Sequence, residues 1–284
     1  MARIAGESPR TARYIKLSPP SVADPVILCC EIAGDGPPVM LMPGLGDTVW
    51  VWRRLIPALQ LRSRVFAVEL RGHGRSASPA GSYTTEEMAG DLALLAENLG
   101  ISRPTVIAQG FGAHLALLLA IEKPEFAAGL VLIGAETGPP GEGARGALGK
   151  MRDCAAKGNM AAAYRARKAR GRGPRGMKSR ERAEHHRLFL RNDPAGYAAS
   201  CAAALGAVDL TGRLGEIQCP ALAVAGELDP DRHPDAERFA SSIPGGTAAI
   251  IGGAGHCAQL DAPDSFQMVL DDFLRAHGLI APGT

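Results

Sequence analysis

Five short apolar runs, "PPVMLMPG", "SRVFAVEL", "RPTVIAQ", "AAGLVLIGA" and "CPALAVAGE", are separated by longer segments with helical spacing. Runs of that length without polar alternation suit strands buried on both faces, and strands alternating with helices predict an α/β fold with a parallel sheet covered on both sides. A site is then expected at the strand ends. The helical segments are consistent with this. In "TTEEMAGDLALLAENLG", Thr84 and Glu87 form a capping box, Met88, Leu92, Leu95 and Leu99 share one face, and Gly100 supplies the stop. "DSFQMVLDDFLRAHG" places Phe266, Val269, Leu270, Phe273 and Leu274 at helical spacing, which predicts a helix packed on the sheet.

The alternation stops after "GAETGPPGEG" and resumes at "CPALAVAGE". The Ala- and Arg-rich stretch between them reads as an inserted helical cap over 138–218, leaving 1–137 and 219–284 as the core. Within it, "RGRGPRG" (Arg170 to Gly176) is expected to be a loop, because Gly is costly in a helix and Pro lacks the amide hydrogen. The stretch from Pro139 to Gln218 holds 16 Lys+Arg against 7 Asp+Glu, while the rest of the chain holds 15 against 22. A basic cap is either a solvated helical face or a means of attracting an anionic substrate, coenzyme A or an acidic carrier protein. Its aromatics, Tyr164, Phe189 and Tyr197, are too few to argue for nucleic-acid binding.

With 284 residues, 46% hydrophobic and 21% charged, the chain is long and apolar enough for one sizeable core. Its opening "MARIAGESPRTARYIKL" has no apolar signal region, and no segment reaches the run of about 18 apolar residues that a membrane span needs, so a cytoplasmic location is expected. The six cysteines show neither a CxxC pair nor Cys/His metal spacing, and reduced thiols are expected. No glycine-rich phosphate loop follows a strand, so no cofactor or metal is expected. The oligomeric state is left open.

"MPGLGD", "VELRGHGRS", "VIAQGFGAH", "AGELDPDRHP" and "GGAGHCAQLDAP" follow one another in that order, covering essentially the whole chain outside the cap. Together they resemble the α/β-hydrolase family, and in particular its capped members: esterases, lactonases, C–C bond hydrolases, epoxide hydrolases and haloalkane dehalogenases. In that family a G-x-S-x-G elbow presents the nucleophile on a strained turn. Ala108, Gln109, Gly110, Phe111 and Gly112 fill those places here, so Gly110 stands where the family carries Ser. Glycine suits the turn, but without a side-chain oxygen it forms no acyl-enzyme.

The resemblance assigns the other two triad places to Asp229 and His256, which lie 27 residues apart. Asp229 would hold the imidazole in one tautomer, leaving Nε2 directed towards Gly110. Glu227, Asp231 and Glu136 are the alternative acids. The resemblance also gives the oxyanion hole to the backbone amides of Leu45 and Phe111, with Pro43 standing where the family often has His.

Candidate substrate contacts are Gln109, Asp47, just beyond the oxyanion loop, and Trp50, which with Trp52 is either core packing or an aromatic wall. His114, on an almost wholly apolar helical segment, reads as a buried core histidine, and His73 as a loop residue. His185 and His186 read as solvated residues of the polar cap or as lining a pocket mouth, and Cys257 as a packed thiol. The resulting expectation is an enzyme without the nucleophilic serine. It would use His256 and Asp229 as a general base and a backbone oxyanion hole for lyase, cyclase, isomerase or direct water-attack chemistry on a small, largely apolar carbonyl compound. The alternatives are a serine esterase or lactonase inactivated by Ser→Gly at position 110, and a non-catalytic ligand-binding protein.

Overall fold

In the structure, a computed structural model, residues 10–19, 25–169, 171, 173–229 and 233–281 are described. Asp231, and Arg170 and Arg172 of the expected cap loop, lie outside them.

The chain begins with an antiparallel pair, β1 (Thr11–Leu17) and β2 (Val26–Ala33). β3 (Pro38–Met42) follows, then a 3-10 turn over Val49–Trp52, the short helix α1 (Ile56–Leu59) and β4 (Arg64–Val68). Helix α2 (Thr85–Leu99), β5 (Thr105–Gln109), α3 (Phe111–Glu122) and β6 (Gly129–Ile133) complete the first half. Four helices come next: α4 (Glu142–Ala156), α5 (Met160–Ala169), α6 (Ser179–Phe189) and α7 (Pro194–Leu205). The chain then returns through β7 (Ala221–Gly226), α8 (His233–Ser241), β8 (Gly246–Ile251), α9 (Ala258–Asp261) and α10 (Pro263–Ala276).

The strands form one sheet in the order β1-β2-β4-β3-β5-β6-β7-β8, antiparallel across β1, β2 and β4 and parallel from β4 onward. Side chains alternate across it with the two-residue period of a strand. Met40, Met42, Val106, Ala108, Leu130 and Leu132 join one buried cluster with α2 and α3, whereas Val39, Leu41, Ile107, Val131 and Ile133 join another with Trp52 and α10. Both faces are therefore apolar, and this accounts for the continuous apolar runs of the sequence.

The local signals act as expected. Thr84 Oγ1 accepts from the Glu87 amide at 3.1 Å, Glu87 Oε2 accepts from the Thr84 amide at 3.0 Å, and Gly100 ends α2 with φ of 64°. Arg71, in the "RGHG" turn after β4, is fully buried and makes a bidentate pair with Asp91 of α2 at 2.5 and 2.7 Å. That pair locks the turn onto the helix, with its charge-assisted bonds offsetting the desolvation of both ions.

Helices α4 to α7 form a cap over the strand ends, with a small core of Leu148, Met151, Met160, Ala163, Phe189, Tyr197 and Cys201 against which Leu45 and Phe111 pack. Asn192 ties the cap down: its side chain donates to the Gly46 carbonyl at 2.9 Å and accepts from the Gly74 amide at 2.7 Å. Among the described residues, no helix is long and apolar enough to cross a membrane.

Candidate functional site

β5 ends at Gln109 and α3 begins at Phe111, so one residue must reverse the chain direction. Gly110 does so at φ 52° and ψ −114°, in a region that L-residues with a Cβ enter only under strain, and its amide donates to the Ile133 carbonyl at 2.8 Å. A Cβ built on Gly110 would meet His256 Nε2 at 3.4 Å as its nearest neighbour. The turn thus faces the imidazole across ordinary van der Waals distance.

His256 follows β8 on a loop, and Asp229 follows β7 in a turn closed by its own amide bonding to the Gly226 carbonyl at 3.0 Å. Asp229 Oδ2 accepts from His256 Nδ1 at 2.8 Å, and both residues are buried. A carboxylate on Nδ1 fixes the tautomer that leaves Nε2 towards Gly110, and it favours the imidazolium when the ring takes a proton. Of the other candidate acids, exposed Glu227 spends its carboxylate on the Gly253 amide at 2.8 Å, while Glu136 lies in the pocket wall. Sequence reasoning did not single out Gly134. A Cβ there would lie 2.8 Å from His256 Cε1, so only glycine lets the end of β6 back the imidazole ring this closely.

A pocket open to solvent on one side lies over this turn. Gly44, Leu45, Gln109, Gly110, Phe111 and His256 form its floor, and Leu148, Met151 and Arg167 of the cap contribute to its upper wall. Phe111, the first residue of α3, has an amide with no intrahelical acceptor. Gln109 is held from both sides, donating to Cys257 Sγ at 3.3 Å and accepting from Gln259 at 3.1 Å. Burial pushes the Cys257 thiol well up, so it is a packed, protonated group.

Asp47 also reaches the pocket, but its carboxylate is engaged by the cap: Arg167 Nη2 donates to Oδ2 at 2.7 Å and His185 Nε2 lies 2.8 Å from Oδ1. Burial alone would raise the Asp47 carboxyl, yet the Arg167 charge and the His185 hydrogen bond outweigh it and hold the group well below the usual carboxylate range. Asp47 is therefore a clasp between the loop after β3 and the cap. Trp50 does not line the pocket with Gly110: the 3-10 turn sends Trp52 into the core and leaves Trp50 outside, under the Arg53 guanidinium at 3.6 Å. His185, expected among the solvated cap residues or at a pocket mouth, is buried because its face of α6 turns towards Asp47. His186 stacks on Tyr164 at 4.3 Å, and His73 is buried with Nδ1 2.9 Å from the Arg71 carbonyl. Burial lowers His73 to about 4.

Comparison with known proteins agrees with this architecture. The sequence profile described as the alpha/beta hydrolase fold matches residues 37–263. Curated relatives include the magnesium-chelatase 30 kDa subunit of Rhodobacter capsulatus, 38% identical over 91 residues covering 32% of each chain. A soluble epoxide hydrolase of Corynebacterium sp. is 32% identical over 101 residues, covering 36% of this chain and 35% of its own. The chain thus spans about a third of the length of these curated relatives. Among solved structures, a thermophilic esterase from Thermogutta terrifontis superposes with TM-score 0.84 at 25% identity, over 94% of this chain and 99% of its own. The enol-lactonase from Burkholderia xenovorans LB400 does so with TM-score 0.79 at 27% identity, over 88% and 97%. With the sheet order, the capped strand ends and a profile match over most of its length, the chain belongs to the alpha/beta hydrolase fold family, whose members are mostly hydrolases.

Proposed function

We propose that this chain is an enzyme that uses His256, oriented by Asp229, as a general base on a small, largely apolar carbonyl compound, without a covalent intermediate at position 110. The observation that carries the reading is the 2.8 Å Asp229–His256 bond beside a glycine whose missing side chain leaves room within reach of Nε2. A water or substrate hydroxyl there would hydrogen-bond to the imidazole. His256 Nε2 takes its proton as the oxygen attacks the carbonyl carbon, and the amides of Leu45 and Phe111 stabilise the oxyanion. If a substrate C–H occupies the same space, proton removal yields an enolate on the same amides, the first step of an elimination, isomerisation or ring closure. The apolar walls supplied by Leu45, Phe111, Leu148 and Met151 suit such substrates.

The test is a screen of esters, lactones and β-hydroxy ketones, with His256→Ala as the comparison. Turnover that falls at least 100-fold in His256→Ala supports the reading, and turnover unaffected by that change overturns it. A second reading has its own support. A Cβ at position 110 would stand 3.4 Å from Nε2, which suits a serine hydroxyl as well as a water. Under that reading Gly110→Ser gains strong esterase turnover, whereas under the first it gains little.

A further inference from the structure

Among the described residues, two buried polar atoms of this pocket have no hydrogen-bond partner: Nη1 of Arg167 and Nε2 of His114. Both side chains are at least nine-tenths buried and both wall the cavity that holds Gly110 and His256. Buried polar groups are nearly always paired, so two orphans in the wall of one cavity mark places where a ligand completes the bonding.

Their chemistry differs. Arg167 stands on α5 of the cap, and a guanidinium only donates. His114 stands on α3 of the core, with Nδ1 3.1 Å from the Glu136 carbonyl. A carbonyl only accepts, so Nδ1 carries the hydrogen and Nε2 presents a lone pair, while burial keeps the ring neutral. The pocket therefore offers a donor from above and an acceptor from below.

The charge of Arg167 is already matched by Asp47 at 2.7 Å, and Glu136 adds a further acid to the wall. A carboxylate placed on Nη1 would share one guanidinium with Asp47 beside two buried side chains, where charges are weakly screened, whereas a neutral carbonyl takes the same bond without that repulsion. We propose that the pocket selects an uncharged small molecule, a carbonyl compound bearing a hydroxyl, whose carbonyl oxygen accepts from Arg167 Nη1 and whose hydroxyl donates to His114 Nε2. On this account the basic cap does not recruit an anion into the site, since the arginine that reaches the pocket is engaged by Asp47. Arg167 and His114 set specificity, and proton transfer stays with His256.

The assignment rests on reading this pocket as the substrate site. Its test reads binding rather than turnover, so either claim can fail without the other. Titration calorimetry on the full chain would compare 3-hydroxybenzamide, benzamide and 3-hydroxybenzoate. The expected order places 3-hydroxybenzamide first, with benzamide about tenfold weaker for loss of the His114 bond and 3-hydroxybenzoate at least about tenfold weaker for its charge. In His114→Phe the advantage of the hydroxyl should vanish. Arg167→Lys keeps a cation beside Asp47 but loses the fork, and should weaken both amides about tenfold. The proposal is overturned if the carboxylate binds as tightly as the amide, if the hydroxyl brings no gain in the unaltered protein, if its gain survives in His114→Phe, or if none of the three binds saturably at millimolar concentration. The comparison among ligands uses the unaltered chain and does not depend on how either variant folds.

Discussion

Replacing Gly110 by Ala adds one methyl group at the turn that faces His256, and its effect on stability follows from the backbone. At φ 52° and ψ −114° a Cβ forces the residue into a sparsely populated region, at a cost of about 1–3 kcal/mol. Its nearest neighbour would be His256 Nε2 at 3.4 Å, so crowding adds little and backbone strain dominates. At about 2.1 cal/mol/K per residue, unfolding 284 residues carries an entropy of roughly 600 cal/mol/K, and the expected fall in Tm is about 2–5 °C. Gly90, inside α2, where an added Cβ meets none of the described residues within 4 Å beyond its chain neighbours and its own helix backbone, gives the matched control. The same substitution there should raise stability by about 0.5–1 kcal/mol, because alanine is the better helix former. Differential scanning calorimetry of both variants reads the two signs directly. If Gly110→Ala melts at or above the unaltered protein, the turn is not strained and the argument that position 110 favours glycine fails.

Four further outcomes follow from the same contacts. Asp229→Asn should lower turnover about 100- to 10,000-fold by releasing the imidazole tautomer, with Tm changing far less, as paired kinetics and calorimetry would check. Gly134→Ala, whose Cβ would lie 2.8 Å from His256 Cε1, should displace the ring and cost turnover without contacting substrate, as single-turnover kinetics would reveal. Asp91→Ala leaves Arg71 buried with, among the described residues, the more distant Glu87 at 3.9 Å as its remaining acidic partner, and should destabilise the fold by about 3–5 kcal/mol in denaturant titration. The Asp47 carboxyl is depressed in the folded state, so its contribution is complete above the unfolded carboxylate range near pH 4 and is lost as pH falls below it. Stability of Asp47→Asn should therefore fall less steeply than that of the unaltered chain below about pH 4 in acid-unfolding curves.

The central parallel strands were readable because they are buried on both faces, which leaves continuous apolar runs such as Val39 to Met42 and Leu130 to Ile133. The antiparallel pair at the sheet edge was not read. β1 is exposed over most of its length, so "TARYIKL" carries no apolar run to mark it. The family resemblance placed Asp229 and His256 after successive apolar runs, and the two strands they follow lie side by side with the side chains 2.8 Å apart. The contribution of the cap was not read, because 16 basic residues look alike until the helices are placed. A signal was nevertheless present: Arg167 falls on the same face of α5 as Met160 and Ala163, and His185 on the same face of α6 as Phe189, all of them buried. An ionisable residue on the apolar stripe of a helix needs a partner, and Asp47 supplies it for both.

His256 is proposed to act on whatever occupies the space above Gly110. Labelling with a fluorophosphonate, read by intact-mass spectrometry, tests this on three chains: the unaltered protein, Gly110→Ser, and Gly110→Ser with His256→Ala. No adduct is expected on the first, one adduct at position 110 on the second, and loss of that adduct on the third. An adduct on the unaltered chain, or an unlabelled Gly110→Ser, would overturn this role for His256.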